Sequence, residues 1–133
     1  MNSLTIYKCE NCDNLLCMIE NSGIVPVCCG KPMKLVEPNN KDFFFDKHVP
    51  VISRNSNEVT VAIGESEHPM KKDHYIMWIA MITDKGVYGR KISPMGKPVA
   101  TFYVGPDEEV LCAYAYCNLH GLWKKSTGRY TRP

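Results

Sequence analysis

Near the C-terminus, the stretch Tyr116-Cys117-Asn118-Leu119-His120-Gly121 sets a thiol and an imidazole two residues apart, directly after a run that reads as a strand. If the chain bends at the Asn and the Gly, both side chains turn toward one ion. A Cys and a His at this spacing also occur by chance, so the weight rests on the other histidines. The chain has four: His48, His68, His74 and His120. Each stands where a loop meets an apolar run. Lys47-His48-Val49-Pro50 leads into one such run, His68-Pro69-Met70 closes a polar loop, and His74 opens the most hydrophobic run, Tyr75 to Ile82. Ligands converge from several strands at such borders, with the strands fixing geometry and the loops admitting substrate. Any one of these imidazoles alone reads as an ordinary core or surface histidine. Four of them with Cys117 read as a metal site.

A second group lies at the other end. Tyr7-Lys8-Cys9-Glu10-Asn11-Cys12 is followed, after fifteen residues, by Cys28-Cys29-Gly30-Lys31-Pro32-Met33. A Cys-x-x-Cys knuckle with a second cysteine pair can wrap one tetrahedral ion. Adjacent cysteines force a wider, distorted tetrahedron than the two-residue spacing of zinc ribbons, which favours iron at Cys9, Cys12, Cys28 and Cys29, with zinc as the alternative. The metal is needed for folding, because about 36 residues cannot bury enough apolar surface unaided. Cys17, between the pairs, reads as a spare thiol packed beside Leu15 or Ile19.

The elements that must position these groups follow from the pattern. Seven cysteines point to metal rather than disulfides in a reducing compartment. With 44% hydrophobic residues and a net charge of +2, the chain can build a core and carries no strong nucleic-acid signal, apart from a small basic cluster at Lys124-Lys125 and Arg129/Arg132. Neither a signal core nor a membrane-length apolar run is present, so the expectation is a soluble cytoplasmic protein. Residues 1–36 read as a metal-stapled domain, 37–41 as a polar linker, and 42–133 as a second domain. In the latter, Phe43–Phe45, Val49–Ser53, Val59–Ile63, His74–Thr83, Val87–Ile92, Pro98–Val104 and Val110–Cys117 read as strands separated by turn-rich stretches. The pattern predicts a mainly β chain, with an antiparallel sandwich or barrel of immunoglobulin type and no helix of normal length. Cys112, an odd number of residues before Cys117, should face away from it and pack as a small hydrophobe. Trp78 and Trp123 read as core or interface residues, Tyr75 has no assigned role, and Ser126 to Pro133 should fray.

The two cysteine pairs, the Lys-His-Val-Pro, His-Pro-Met and His-Tyr-Ile segments, and Cys117-Asn118-Leu119-His120-Gly121 together closely resemble desulfoferrodoxin, the two-iron form of superoxide reductase. The resemblance spans nearly the whole chain and uses every histidine. It implies a desulforedoxin-like N-terminal domain whose iron is bound by Cys9, Cys12, Cys28 and Cys29, and an immunoglobulin-like catalytic domain whose mononuclear iron has His48, His68, His74 and His120 in an equatorial plane and Cys117 on the axis. It further implies an open sixth position, coordination of His120 through its other ring nitrogen, a homodimer, and a rubredoxin-like electron donor.

The implied reaction is one-electron reduction of superoxide to hydrogen peroxide without release of oxygen. That calls for a redox-active metal with a vacant position, and an axial thiolate pushes electron density toward that position. Asn118 and nearby amides are expected to donate to the Cys117 sulfur and tune it. Lys47, directly before a ligand, is expected to draw the anion in and order the protonating water. Asp46 stands where the family usually has a Glu that reaches the sixth position; one methylene shorter, it predicts weaker or absent ligation. Two other readings remain open at this level: a dismutase, and a non-enzymatic electron carrier or binding module in which the four-cysteine domain is the working part.

Overall fold

The computed structural model describes residues 3–39, 45–64 and 67–127, with backbone alone for 45 and 46. It divides into two compact units, Ser3–Glu37 and the chain from Pro38 onward.

The first unit has little core of its own: its fully buried apolar side chains are Ile6, Cys9 and Met33. Five short strands carry it, β1 (Ile6–Lys8), β2 (Leu15–Cys17), β3 (Val27–Cys28), β4 (Lys31–Pro32) and β5 (Lys34–Leu35). They form a sheet of order β2-β1-β5 and a separate hairpin β3-β4. Between β3 and β4, Cys28 pairs with Lys31, leaving Cys29 and Gly30 as a two-residue turn with φ of 53° and 75°. Two consecutive left-handed residues make the tight hairpin turn whose twist matches antiparallel strands.

The second unit is a sandwich of seven strands among the described residues. β6 (Pro50–Asn55), β7 (Glu58–Ile63) and β10 (Val99–Tyr103) form one sheet; β8 (Ile76–Thr83), β9 (Val87–Lys91), β11 (Val110–Cys117) and β12 (Gly121–Ser126) form the other, in the orders β10-β7-β6 and β12-β11-β8-β9. All pairings are antiparallel, as expected of an immunoglobulin-like sandwich. Strand β7 shows the physical logic most plainly: Val59, Val61 and Ile63 are buried and the residues between them are not. They meet Ile76, Ile79 and Met81 of β8 and Ala113, Ala115 and Cys117 of β11 in one apolar core. Cys117 is thus the last residue of an inward-facing row, and Cys112 is buried on the other face, as the odd spacing requires.

The strand reading changes at two places. Residues 43 and 44 lie outside the described residues, and Phe45 opens a single helical turn, α1 (Phe45–His48), instead of ending a strand. Ser126 does not fray: it ends β12, which pairs with β11 from Cys117↔Gly121 to Cys112↔Ser126, and the Thr127 amide donates to the Leu111 carbonyl at 3.0 Å. The polar half of β12 hid it, since an edge strand needs only one buried face. Residues 128–133 lie outside the described residues.

The antiparallel registers place His48 before β6, His68 after β7, His74 before β8, Cys117 at the end of β11 and His120 in the turn to β12, all at one end of the sandwich. The turns β6–β7, β8–β9 and β10–β11 lie at the other.

Candidate metal centres

In the first unit, the sulfurs of Cys9, Cys12, Cys28 and Cys29 all lie within 4.8 Å of one another. Cys12 and Cys28 Sγ are 3.6 Å apart, against about 3.8 Å for two thiolates around one tetrahedral ion. The hairpin turn explains how adjacent cysteines reach one point: Cys28 closes a strand and Cys29, in the left-handed conformation, turns back beside it. The amides of Cys12 and Asn11 hold the Cys9 thiol down to about 7, while the neighbouring Cys12 and Cys9 thiols push Cys28 up to about 12. Four thiols this close cannot all ionise without a cation among them. One donor to this cluster was not legible in the sequence, the Asn14 side-chain amide, 3.6 Å from Cys28 Sγ. Cys17 lies outside the cluster, exposed on β2.

In the second unit the four imidazoles close into a ring. Neighbouring centroids are 4.6 Å apart for His48–His68, 4.8 Å for His68–His74, 5.1 Å for His74–His120 and 5.0 Å for His120–His48, every pair edge to face. His48 and His68 face each other through Nε2 at 3.0 Å. Two nitrogens on adjacent corners of a square, each about 2.1 Å from a central ion, stand about 3.0 Å apart. Ligand atoms of His48, His74, Cys117 and His120 all lie within 4.8 Å of one another, and His68 completes the ring through His48. His74 Nε2 is buried without a hydrogen-bond partner, an expensive state that an ion would relieve. His120 turns its other nitrogen, Nδ1, to Cys117 Sγ at 3.8 Å. Burial lowers His68 to about 4, with the Pro69 carbonyl opposing and the other histidines adding to the shift, and burial lowers His74 as well. Burial thus favours the neutral, lone-pair-donating form of His68 and His74.

Cys117, whose sulfur lies within 4.8 Å of the ligand atoms of His48, His74 and His120, is fully buried. Burial raises its thiol, and the backbone amides of Leu119 and His120 oppose this by donating to the sulfur. The expectation for nearby amides thus holds, but not for the Asn118 side chain. Its Oδ1 accepts from the Tyr75 amide at 2.9 Å and its Nδ2 donates to the Asp73 carbonyl at 3.0 Å. The strand ladder between β8 and β11 ends beside it, and its amide group bonds to the unpaired backbone there instead of to the sulfur. Trp123, expected only as a core or interface residue, stacks on His48. Asn39, in the stretch expected to be a linker, donates from Nδ2 to the His120 carbonyl at 2.8 Å and from its amide to the Leu122 carbonyl at 2.7 Å. Lys47 is exposed on α1, one residue before His48. The Asp46 side chain lies outside the described residues.

The family model described as Desulfoferrodoxin matches residues 40–126, which include the whole histidine ring and Cys117. The chain belongs to the desulfoferrodoxin family. A desulfoferrodoxin homolog of Archaeoglobus fulgidus is 43% identical over 121 residues, covering 91% of this chain and 95% of that one. The superoxide reductase of Thermococcus kodakarensis is 31% identical over 100 residues, covering 62% of this chain and 87% of that one. Among solved structures, the superoxide reductase of Treponema pallidum superposes with a TM-score of 0.79 at 31% identity, covering 93% of this chain and 98% of that one. The donor sets fit the two iron centres of desulfoferrodoxins, four cysteines in one and four histidines with a cysteine in the other. Among the described residues, no helix is long and apolar enough to cross a membrane.

Proposed function

We propose that the unit from Pro38 onward reduces superoxide to hydrogen peroxide, one peroxide per superoxide and with no oxygen released, at an iron that His48, His68, His74, His120 and Cys117 would hold. The observation that most supports this is the closed ring of four imidazoles beside a buried thiol at one end of the sandwich. The superoxide reductases among its relatives point the same way.

Superoxide takes one electron and two protons to become hydrogen peroxide, and an iron held by these residues would supply the electron. The chain's own residues do the rest. Burial favours the neutral form of His68 and His74, which leaves each a lone pair to donate. The amides of Leu119 and His120 fix the Cys117 sulfur and temper its basicity. Lys47 carries the positive charge nearest in sequence to the ring, attracts the anion, and orders the water that hands over a proton. Asp46, one residue earlier, is too short to ligate as firmly as the Glu usual in the family. Cys9, Cys12, Cys28 and Cys29 hold a second iron as a structural or accessory redox centre, a rubredoxin-like protein re-reduces the catalytic site, and the working form is a cytoplasmic homodimer.

The deciding experiment is anaerobic. The reduced protein is given limiting superoxide, and peroxide and oxygen are counted per superoxide consumed. One peroxide and no oxygen supports the reductase. Half a peroxide with oxygen above the spontaneous background means dismutation, and no acceleration with iron in both sites leaves an electron carrier. Failure of reduced rubredoxin to re-reduce the site would remove that donor.

A further inference from the structure

We propose that Asn118 is a positioning residue whose side-chain amide locks the loop carrying His74 onto the turn carrying Cys117 and His120. The pairing of β8 with β11 runs to Ile76↔Cys117, with an irregularity in register between Tyr116 and Cys117. Beyond it no backbone is left on β11 to hold the residues around His74. Asn118 takes over with three hydrogen bonds. Its backbone amide donates to the Tyr75 carbonyl at 3.2 Å, its Oδ1 accepts from the Tyr75 amide at 2.9 Å, and its Nδ2 donates to the Asp73 carbonyl at 3.0 Å. The side chain thus continues the ladder by one step and grips both neighbours of His74.

The His74 peptide groups are held from another side. The Lys71 amide donates to the His74 carbonyl at 2.9 Å, and the His74 amide donates to the Lys71 carbonyl at 3.2 Å. With Lys71 fixing its own backbone and Asn118 fixing its neighbours, His74 presents its buried, unpartnered Nε2 in one place. The residue type matters. A primary amide offers an acceptor and a donor side by side, which a carbonyl and an amide on either side of one residue require. Asp supplies only the acceptor, and Ala neither.

The inference rests on His74 being a ligand, so its test separates the two. Asn118→Ala, Asn118→Asp and His74→Ala are prepared as full-length, iron-loaded proteins. Three quantities are read: iron release from the histidine site to a chelator, hydrogen exchange of the 71–77 segment, and the sulfur-to-iron absorption band of the oxidised protein. In Asn118→Ala, iron release should quicken by about 10–100-fold, the range for loss of an outer-shell partner. The band should shift and the Tyr75 amide should exchange faster, while exchange in β7 and at Ala113–Ala115 stays as in the parent. Asn118→Asp should keep Tyr75 protected and fall between Ala and the parent in iron release. Unchanged exchange at Tyr75 in Asn118→Ala overturns the clamp. So does parental iron release in Asn118→Ala when His74→Ala loses its iron. If His74→Ala itself keeps its iron, the ligand assignment has failed, and the exchange at Tyr75 still decides the clamp.

Discussion

Trp123 lies flat against His48, ring centroids 4.5 Å apart and planes 11° from parallel, with both side chains almost wholly removed from solvent. The His48 ring is thus fixed in rotation before any ion arrives, because turning it would drive it into the indole. Trp123→Ala should cost about 3–5 kcal/mol of stability as a large buried-to-small change, measured by denaturant unfolding. Trp123→Phe keeps a stacked face and should recover most of the iron content, measured as iron per polypeptide in the histidine site. Equal iron loss in Phe and Ala would assign the indole a packing role alone.

The strand borders carrying the histidines were legible in the sequence because each follows from a local contrast: a β-branched run on one side and Pro, Gly or polar residues on the other. Val59–Ile63 read as a strand from its β-branched residues, and it is one, within β7. The residues that hold the site in shape were not legible. Asn118 reads like any turn Asn, and its two side-chain bonds exist only because the β8–β11 register brings Tyr75 opposite. Asn39 lies 81 residues from the carbonyl it grips. The adjacent Cys28 and Cys29 looked like a distortion until the hairpin register showed one on a strand and the other in a left-handed turn. Such partners are set by tertiary pairing, which local pattern does not encode.

Metal removal should affect the two units differently. With so few buried apolar side chains in the first unit, stripping the four-cysteine site should unfold residues 3–37 while β7, β8 and β11 keep their slow amide exchange. Hydrogen exchange after chelation reads this directly. Gly30→Ala tests the same dependence at one residue: at φ +75° a Cβ costs about 1–2 kcal/mol, so the front metal should leave faster while the histidine site keeps its iron.

Glu108 makes a pH prediction away from either centre. Its carboxylate accepts from the Thr83 hydroxyl, from the Gly105 amide at 2.9 Å and from the Tyr88 hydroxyl at 2.7 Å. The Thr83 bond first, and then the Gly105 bond, hold it below its ordinary value of 4.5. Because the folded value is depressed, the stabilisation is complete above 4.5 and is lost as pH falls through the folded value. Glu108→Gln should cost about 1–3 kcal/mol at neutral pH by disrupting buried donors, and should flatten the stability profile below 4.5. Denaturant midpoints across that range measure both.

Lys47 and His48 are consecutive on a single helical turn, and one is exposed while the other is buried in the ring. Successive helical residues point about 100° apart, so a ligand can be sunk while its neighbour keeps a cation in solvent beside it. A cation so placed acts on a small diffusing anion through its field, and a field effect has a salt signature. Lys47→Ala should lower the second-order rate with superoxide by about 10-fold at low ionic strength, and the rate should then fall less steeply with added salt than in the parent. Lys47→Arg keeps the charge and should keep most of the rate. Peroxide formed per superoxide should be the same in all three, since the electron and its direction do not depend on this side chain. Pulse radiolysis across a salt series measures rate and slope together; a parental rate and slope in Lys47→Ala would place the attraction elsewhere on the surface.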